Sequence, residues 1–441
     1  MLRRGALALL VPLRRHSAMA TPPDRRFVVE LAGSELVHFS LSDDDDNNNN
    51  RAPPRSFPPR PGRCYSFCLP AAGSPRERVR AARLHRLLQR RLSQEQPFGA
   101  GSAALALLSY SPHREAALER GFLVRDERRA PETERSVEEL LRHLLPAPVH
   151  LAVYEVAEGG EVRCALWRLD GAAQGRQLVR RARVVAEEEP ALHPAVAHLL
   201  DDAVFRSRGA ARMVLEECTS LIPEAKAVLD LVDQCPQHPK KGDFPVIVIE
   251  GLDATGKTTL TQAVKDSLNA ALLKSPPPSV SQWRKIFDDE PTLIRRAFYA
   301  LTNYILASEI AKASSKSPVI IDRYWHSTAA YAVATEISGK VQNLPPLHHE
   351  VYHWPEDLLK PDVVLLLTVS PEERIRRLQG RGMEKTEEET ELEANTFFRQ
   401  KVEESYRRME NPTCQPVDAS PSREEVLKAV LHLVKKQCRL P

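Results

Sequence analysis

FPVIVIEGLDATGKTT, at residues 244–259, is the stretch that decides the fold of the C-terminal half of the chain. Its apolar run, 246–249, is typical of a buried strand and leads directly into residues 251–258, which match the phosphate-loop pattern GxxxxGK[ST]. Glycines let such a loop approach a polyphosphate closely, so that backbone N–H groups and a helix N-terminus face the negative charge. The sequence therefore predicts a nucleotide-binding strand, loop and helix.

The loop also predicts which residues hold ATP and its metal ion. Lys257 is expected to reach the outer phosphates, and the Thr258 hydroxyl is expected to bind Mg²⁺. The predicted ATP-binding residues are Gly251, Leu252, Asp253, Ala254, Thr255, Gly256, Lys257, Thr258 and Thr259.

Length, charge and cysteine content narrow the class of protein. A chain of 441 residues is expected to form two domains. The formal net charge of +3 is close to neutral for this size, so nothing indicates a nucleic-acid partner. The seven cysteines contain no CxxC pair, which argues against a zinc site or a disulfide framework. No apolar run is long enough to span a bilayer.

The first 23 residues resemble a targeting segment. They contain four arginines and no acidic residue, and arginines lie on both sides of the apolar stretch 5–13. These features predict a mitochondrial transit peptide and hence a mitochondrial protein. A secretory signal and an unprocessed basic arm remain the alternatives.

Residues 26–205 are expected to form a separate α+β domain, with hairpins around Gly33 and around Gly159. Within it, the run DDDDNNNN and the proline-rich segment that follows predict a disordered loop at 43–62. No catalytic pattern is present in this region. A helical linker at 206–242 is predicted to lead into the C-terminal domain, 243–441.

In the C-terminal domain, strand and helix signals alternate, which predicts a parallel sheet flanked by helices. The run 318–321 ends at Asp322, where a Walker B acid would approach the metal bound by Thr258. Arg323 would then emerge at the carboxyl edge of the sheet, the edge at which such folds bind ligands. A purely structural Asp–Arg turn is the alternative interpretation.

Four segments in this order resemble the thymidylate kinase family of P-loop nucleoside monophosphate kinases: EGLDATGKTT, DRYWHSTAAYA, KPDVVLLLTVSPEER and VDASPSREEV. The resemblance covers residues 244–440. FDDEPTLIRRAFYALTNYI and RGMEKT are similar to a mitochondrial member that phosphorylates pyrimidine monophosphates, dUMP and dCMP included. The resemblance implies Mg²⁺- and ATP-dependent phosphoryl transfer to a nucleoside monophosphate.

The resemblance also implies roles around the transferred phosphate. Arg323 would clamp the acceptor and the transferred phosphate, and Asp253 would lie near the acceptor's sugar and phosphate. Some family members carry an arginine where this loop has Ala254, so another cation is needed, and we expect Arg377 and Arg381 of the lid segment to supply it. A solvated basic helix is the alternative. The predicted catalytic residues are Lys257, Asp322, Arg323, Arg377 and Arg381.

The acceptor pocket departs from the family pattern. Tyr304 stands where thymidylate kinases have the arginine that meets thymine, which argues against a strict thymine preference. Phe298, Tyr299 and Tyr331 are candidates either to stack on the base or to lie in the core. The predicted acceptor-binding residues are Asp253, Arg284, Arg295, Arg296, Tyr299, Asn303, Ser327 and Tyr331.

These predictions describe a mitochondrial enzyme that phosphorylates dUMP, dCMP, UMP and CMP with ATP and Mg²⁺. Its expected partners are ATP and the pyrimidine nucleotide, with no nucleic acid and no membrane span, and a homodimer is left open. One alternative is a true thymidylate kinase. The other is a nucleotide-binding regulatory protein that acts through its N-terminal domain.

Overall fold

The computed structural model describes residues 25–43, 52–57, 62–70, 73–94, 102–112, 114–145, 148–170, 175–379, 392 and 394–438. The chain divides into two compact units, Met1–Ala197 and His198–Pro441. The predicted transit peptide, 1–23, and the predicted lid residue Arg381 lie outside the described residues.

Antiparallel strands of the first unit close into a barrel. In chain order they are β1 (Arg26–Glu30), β2 (Leu36–Asp43), β3 (Arg63–Cys68), β4 (Ser102–Ser111), β5 (Arg114–Asp126), β6 (Val149–Val156), β7 (Val162–Leu169) and β8 (Arg176–Ala186). Around the barrel they run β1-β2-β8-β7-β6-β3-β5-β4, and β4 pairs with β1. The two predicted hairpins are β1–β2 and β6–β7. Closure was not predicted, because it depends on pairing strands that are distant in the chain.

Aromatic side chains fill the interior of the barrel. Phe39 stacks on Phe27 with ring centroids 5.1 Å apart and on Phe57 at 4.9 Å, and Tyr154 meets Phe57 edge-on at 5.3 Å. Phe57 is only 3% exposed, although it lies within the stretch 43–62 that was predicted to be a disordered loop. The structure differs from the prediction at 52–57, because burial of this ring among the others favours a fixed position for the segment.

Two helices pack on the outside of the barrel, α1 (Pro75–Gln94) and α2 (Pro131–Leu144). Leu88 of α1 and Val137 and Leu141 of α2 are fully buried in a second apolar cluster, which they share with residues of the barrel strands. The strands therefore bury side chains on both faces, inward within the barrel and outward beneath the helices.

A parallel sheet forms the centre of the second unit. Its strands are β9 (Val246–Gly251), β10 (Ala271–Lys274), β11 (Val319–Asp322), β12 (Val363–Thr368) and β13 (Cys414–Asp418). The order is β10-β11-β9-β12-β13, and every neighbouring pair is parallel. The predicted parallel sheet of the C-terminal half is confirmed. All residues of the central strand β9 are buried, as expected for a strand covered on both faces.

Helices cover both faces of this sheet. They are α3 (Arg208–Cys218), α4 (Pro223–Asp233), α5 (Lys257–Leu268), α6 (Pro278–Ser281), α7 (Arg284–Asp288), α8 (Thr292–Ser314), α9 (Trp325–Glu336), α10 (Pro371–Gln379), α11 (Thr396–Arg408) and α12 (Arg423–Cys438). Val264 of α5 and Val430 of α12 pack with Ile249 and Leu365 in one core cluster. Within the described part of the chain, no helix has the length and apolar character needed to cross a membrane.

Helices α3 and α4 fall in the segment predicted as a linker, and both contact α8. Asp357 fastens this contact: one carboxylate oxygen accepts from the Arg208 N–H at 2.8 Å, and the other accepts from the Tyr304 hydroxyl at 2.6 Å. The two helices therefore belong to the second unit, where the sequence placed a bridge between domains. The prediction of a linker differs from the structure because both helices bury apolar residues, which a simple linker would leave exposed.

Strand register brings the ends of three strands to one edge of the sheet. Asp322 at the end of β11 lies beside Ile249 of β9, two residues before Gly251, and beside Lys274 at the end of β10. The phosphate loop and the turn at Arg323 therefore leave the sheet side by side, at its carboxyl edge.

Burial of His326 makes the stability of this unit depend on pH. The ring lies in α9 against Trp325 (centroids 5.6 Å apart) and Trp354 (5.1 Å), and its Nε2 donates to the Pro412 carbonyl at 3.0 Å. Burial lowers the pKa of His326 from 6.5 to about 4. Between these values the unfolded chain binds a proton that the folded protein does not, so stability falls as the pH drops from 6.5 toward 4.

We expect His326→Phe to weaken this dependence, since the ring is kept and the titrating group is removed. Urea unfolding midpoints, followed by tryptophan fluorescence at pH 7.5 and 5.0, should differ less in this variant than in the wild type. His348→Gln is the matched control, because the His348 side chain is 82% exposed. An equal change of midpoint in His326→Phe and wild type would show that other groups cause the effect.

Candidate active site

Tight packing at the end of β9 gives the phosphate loop its shape. Gly251 has φ +143°, and a Cβ there would lie 2.7 Å from the Leu367 carbonyl oxygen, so a side chain is excluded. Gly256, with φ +94°, caps the N-terminus of α5. Between them Ala254 also has a positive φ, +65°. The chain thus turns sharply into α5, and the first N–H groups of that helix follow the loop.

Lys257 lies inside this loop and is 7% exposed. Its Nζ donates to the Leu252 carbonyl at 2.7 Å and is 4.0 Å from an Asp253 carboxylate oxygen. Burial, reinforced by the charge of Arg323, lowers the pKa of Lys257 to about 7, and Asp253 and Asp322 oppose this shift only in part. A bound polyphosphate would place negative charge beside this ammonium group and would favour its charged form.

Asp253 and Arg323 form an ion pair beside Lys257. Arg323 donates to the Asp253 carboxylate at 2.7 Å and to the Ser327 hydroxyl at 3.3 Å, and its guanidinium carbon is 5.9 Å from the Tyr331 ring centroid. Burial opposes ionisation of Asp253, but Arg323 and Lys257 outweigh it and lower the pKa of the carboxyl group. Arg323 therefore faces the loop with a fixed orientation.

The backbone of Arg323 is strained. Its φ is +68°, a conformation that costs a residue with a side chain on the order of 1–3 kcal/mol. Its N–H donates to the Ile249 carbonyl at 3.1 Å, which holds the strained residue against β9. Such strain is concentrated at functional sites.

Glu250 is a site residue that the sequence did not single out. Its side chain is completely buried, and the carboxylate accepts from the N–H groups of Tyr324 (2.8 Å) and Ser327 (3.3 Å) and from the Tyr406 hydroxyl (3.3 Å). Burial raises the pKa of Glu250, although these bonds favour the ionised form. Glu250 therefore joins β9 to the start of α9, immediately after Arg323. Its signal in the sequence was a single acid closing the apolar run VIVI.

Asp322 has the properties expected of a ligand for Mg²⁺. It is 7% exposed, and within the described part of the chain its carboxylate takes no hydrogen bond and no ion pair. Thr258, the other predicted ligand, is the second residue of α5 and is exposed. No group of three or more His, Cys, Asp or Glu among the described residues is arranged to hold a metal. Two oxygen ligands fit Mg²⁺, which keeps several waters and binds substrate phosphates.

Arg377 of α10 lies on the phosphate loop. It donates to the Thr255 carbonyl at 3.3 Å and to the Ala419 carbonyl at 2.8 Å, and its Nε bonds Glu373 at 2.7 Å. The guanidinium is also near Gly256, where an added Cβ would lie 3.7 Å from it. Arg377 therefore lies against the part of the loop formed by Thr255 and Gly256.

The predicted acceptor residues fall into separate groups. Arg284 of α7 contacts Tyr299 of α8: Arg284 donates to the Tyr299 hydroxyl at 3.1 Å, and that hydroxyl donates to Asp288 at 2.7 Å. Arg296 is 2% exposed and donates to the Thr335 hydroxyl at 3.3 Å. Arg295, the preceding residue of α8, is half-buried.

A second group lies closer to the sheet edge. Asn303 is completely buried, and its amide nitrogen donates to the Thr328 hydroxyl at 3.2 Å, while its oxygen accepts from Ser275 at 3.4 Å. Ser275 directly follows β10, and Thr328 belongs to α9. Ser327, the next predicted acceptor residue, bonds the Tyr406 hydroxyl at 2.9 Å as part of the Glu250 network.

Two aromatic residues of α8 have structural roles. Phe298 is completely buried and stacks on Phe287 with centroids 4.2 Å apart, so it lies in the core and does not face a base. The Tyr304 hydroxyl donates to the Asp357 carboxylate, as described above. Tyr304, the position at which the resemblance implied a replaced arginine, thus serves the packing of α3 here.

Comparison with known proteins shows which family this chain resembles. The family model for thymidylate kinase matches residues 249–430. The human protein "UMP-CMP kinase 2, mitochondrial" is 57% identical over 449 residues, which cover 100% of this chain and 99% of that protein. Both predicted resemblances, to the family and to a mitochondrial member of it, are confirmed.

Solved structures give weaker likenesses. The thymidylate kinase of Candida albicans is 21% identical, covers 44% of this chain and 92% of its own, and has a TM-score of 0.34. A deoxyadenosine kinase of M. mycoides, solved with dCMP and dCDP, is 17% identical, covers 43% and 99%, and has a TM-score of 0.32. Neither value supports an argument from those structures. The 57% identity to the human protein over the full length does support an argument. Together with the family model it shows that this chain belongs to the thymidylate kinase family.

Proposed function

We propose that this chain is a nucleoside monophosphate kinase of mitochondria that transfers the γ-phosphoryl group of ATP to dUMP, dCMP, UMP or CMP. One observation carries the reaction type: the Asp253–Arg323 pair, 2.7 Å apart, lies directly beside the lysine of the phosphate loop. The pyrimidine acceptors and the mitochondrial location are supported by the name of the human relative, which is 57% identical from end to end.

On the donor side, the loop N–H groups and Lys257 hold the phosphates of ATP. Lys257 exchanges its bond with the Leu252 carbonyl for a phosphate oxygen, which gives the ammonium group a stronger, charged partner. Arg377 neutralises charge near Thr255 and Gly256. Thr258 and Asp322 would hold Mg²⁺, which would offset the negative charge of the phosphates.

On the acceptor side, Arg323 positions the phosphate of the monophosphate in line with the γ-phosphorus. A phosphate monoester is largely dianionic at neutral pH, since its second pKa is about 6, so the reaction requires no general base. The side chains instead position the two phosphates and balance their charge. Asp253 keeps Arg323 oriented before the acceptor arrives, which lowers the cost of ordering it in the complex.

The base is proposed to lie near Asn303, Thr328 and Tyr331, at the ends of β10 and β11. An amide offers both a donor and an acceptor, so it can meet either uracil or cytosine, whose base edges differ in their donors and acceptors. Arg295, Arg296, Arg284 and Tyr299 stay candidates for the acceptor phosphate or sugar. A thymidylate kinase remains the alternative, although the hydroxyl of Tyr304 is bonded to Asp357 and offers thymine no arginine-like donor.

An acceptor panel tests the proposal. Purified protein with Mg²⁺ and ATP should turn over dUMP, dCMP, UMP and CMP faster than dTMP, measured as ADP release. Lys257→Ala should lose activity by about 100-fold or more, because a phosphate-binding charge is removed without a change in the core. Fastest turnover of dTMP would favour the thymidylate kinase. Binding of ATP without turnover of any acceptor would favour the regulatory protein.

The low pKa of Lys257 predicts proton uptake when nucleotide binds. At pH 8 the free protein, with a Lys257 pKa of about 7, holds this side chain mostly neutral. A bound phosphate favours the charged form, so up to about one proton should be taken up per ATP. Titration calorimetry in Tris and in HEPES, whose ionisation enthalpies differ, measures this number.

Lys257→Arg is the matched control for the calorimetry. Its guanidinium stays charged at every accessible pH, so the heat of binding should then be the same in both buffers apart from other groups. If wild type and Lys257→Arg take up equal numbers of protons, Lys257 is charged before ATP arrives.

We further propose that the first unit is a separate α+β domain that is not needed for the chemistry. A protein of residues 198–441 contains the complete sheet β9–β13 and the helices α3 and α4. It should be soluble and keep kcat within about threefold of the full chain, since every predicted site residue is retained. Insolubility, or loss of turnover with intact folding, would show that the two units work as one.

A further inference from the structure

Arg374, one helical turn before Arg377 in α10, is a buried cation, and among the described residues no acidic side chain pairs with it. Its side chain is 3% exposed, and its Nε donates to the Asp253 carbonyl at 3.2 Å. Within the part of the chain that the structure describes, no carboxylate lies within ion-pair distance of its guanidinium. A guanidinium has five N–H donors, and a single bond to a carbonyl leaves most of them unused.

The charged groups around Arg374 do not compensate it. Asp253 and Glu403 attract it, and Arg399 repels it. The Asp253 carboxylate is already bound to Arg323 at 2.7 Å. Removing a cation from water without a partner is costly, so a bound anion would stabilise the arrangement of the described residues around Arg374.

The position of Arg374 indicates which anion this is. Arg374 bonds the carbonyl of Asp253 and Arg377 bonds that of Thr255, so the two arginines lie on the loop at successive turns of α10. Ala254, between these two loop residues, contributes no charge of its own. The Asp253 side of the loop also carries Arg323, the residue assigned to the acceptor phosphate.

We propose that Arg374 is a further catalytic residue, whose guanidinium contacts the phosphoryl group as it passes from ATP to the acceptor. An oxygen of the acceptor phosphate forms a bond to the γ-phosphorus. The bond from that phosphorus to the β–γ bridging oxygen breaks, and the electron pair leaves with ADP. Charge spreads over the three equatorial oxygens, where a buried cation stabilises it most. This inference rests on the proposed kinase activity.

Kinetics of the full-length protein test the role of Arg374. Arg374→Met should lower kcat by about 100-fold or more and change the KM for ATP by less than about threefold, since the contact is made mainly in the transition state. Arg374→Lys keeps the charge but not the fork of donors, and should recover part of kcat. Added guanidinium ion should partly restore Arg374→Ala and leave the wild type unchanged.

Arg376→Met is the matched control from the same helix. The Arg376 side chain is 77% exposed and pairs with Glu373 at 2.8 Å, so its removal should leave kcat within about twofold. Binding of ADP by calorimetry reports whether each variant keeps an intact loop. We expect ADP affinity to be the same in Arg374→Met and wild type.

The outcomes separate this inference from the proposed function. Unchanged kcat in Arg374→Met, in an active wild-type background, would overturn the role of Arg374 alone. A loss of kcat that parallels a loss of ADP affinity in both Arg374→Met and Arg374→Lys, without rescue by guanidinium, would make the residue structural and also overturn it. A wild type that phosphorylates no nucleotide would overturn both proposals together.

Discussion

The buried carboxylate of Glu250 is the constraint on which the active site depends. It lies at the end of β9, accepts two N–H groups from the start of α9, and accepts the hydroxyl of Tyr406 from α11. A carboxylate without water requires such bonds, because each missing one would cost about 1–3 kcal/mol or more. The need to satisfy Glu250 therefore fixes Arg323 beside the loop, in a backbone conformation that it would otherwise avoid.

The site brings basic side chains together before any phosphate arrives. Four basic side chains approach one loop: Lys257, Arg323, Arg374 and Arg377. Asp253 is the acid that lies closest to two of them, Arg323 and Lys257. Burial and mutual repulsion make this arrangement costly in the free protein, and the same two causes lower the pKa of Lys257. Binding of a polyphosphate relieves it, which is how preorganised charge becomes selective for the highly charged transition state.

The first unit solves a different physical problem. A closed barrel leaves no exposed strand edge, and the aromatic rings of Phe27, Phe39, Phe57 and Tyr154 occupy its interior. Its strands also bury their outer faces beneath α1 and α2. Stability from both faces accounts for an ordered fold around a sequence that is interrupted by polar, proline-rich stretches.

The sequence alone was sufficient for the parallel sheet, the phosphate loop, the Asp322–Arg323 turn and the family, because each rests on residues that are adjacent in the chain. Arg377 became a candidate for the same reason, through a local arginine-rich segment. What the tertiary structure decided depends on contacts between distant segments. Phe298 and Tyr304 lie in a helix where sequence cannot tell which side faces the core, and packing directed them to Phe287 and Asp357. Barrel closure, the bonds of Glu250 and the contact of Arg374 with the phosphate loop likewise exist only once strands and helices far apart in sequence have come together.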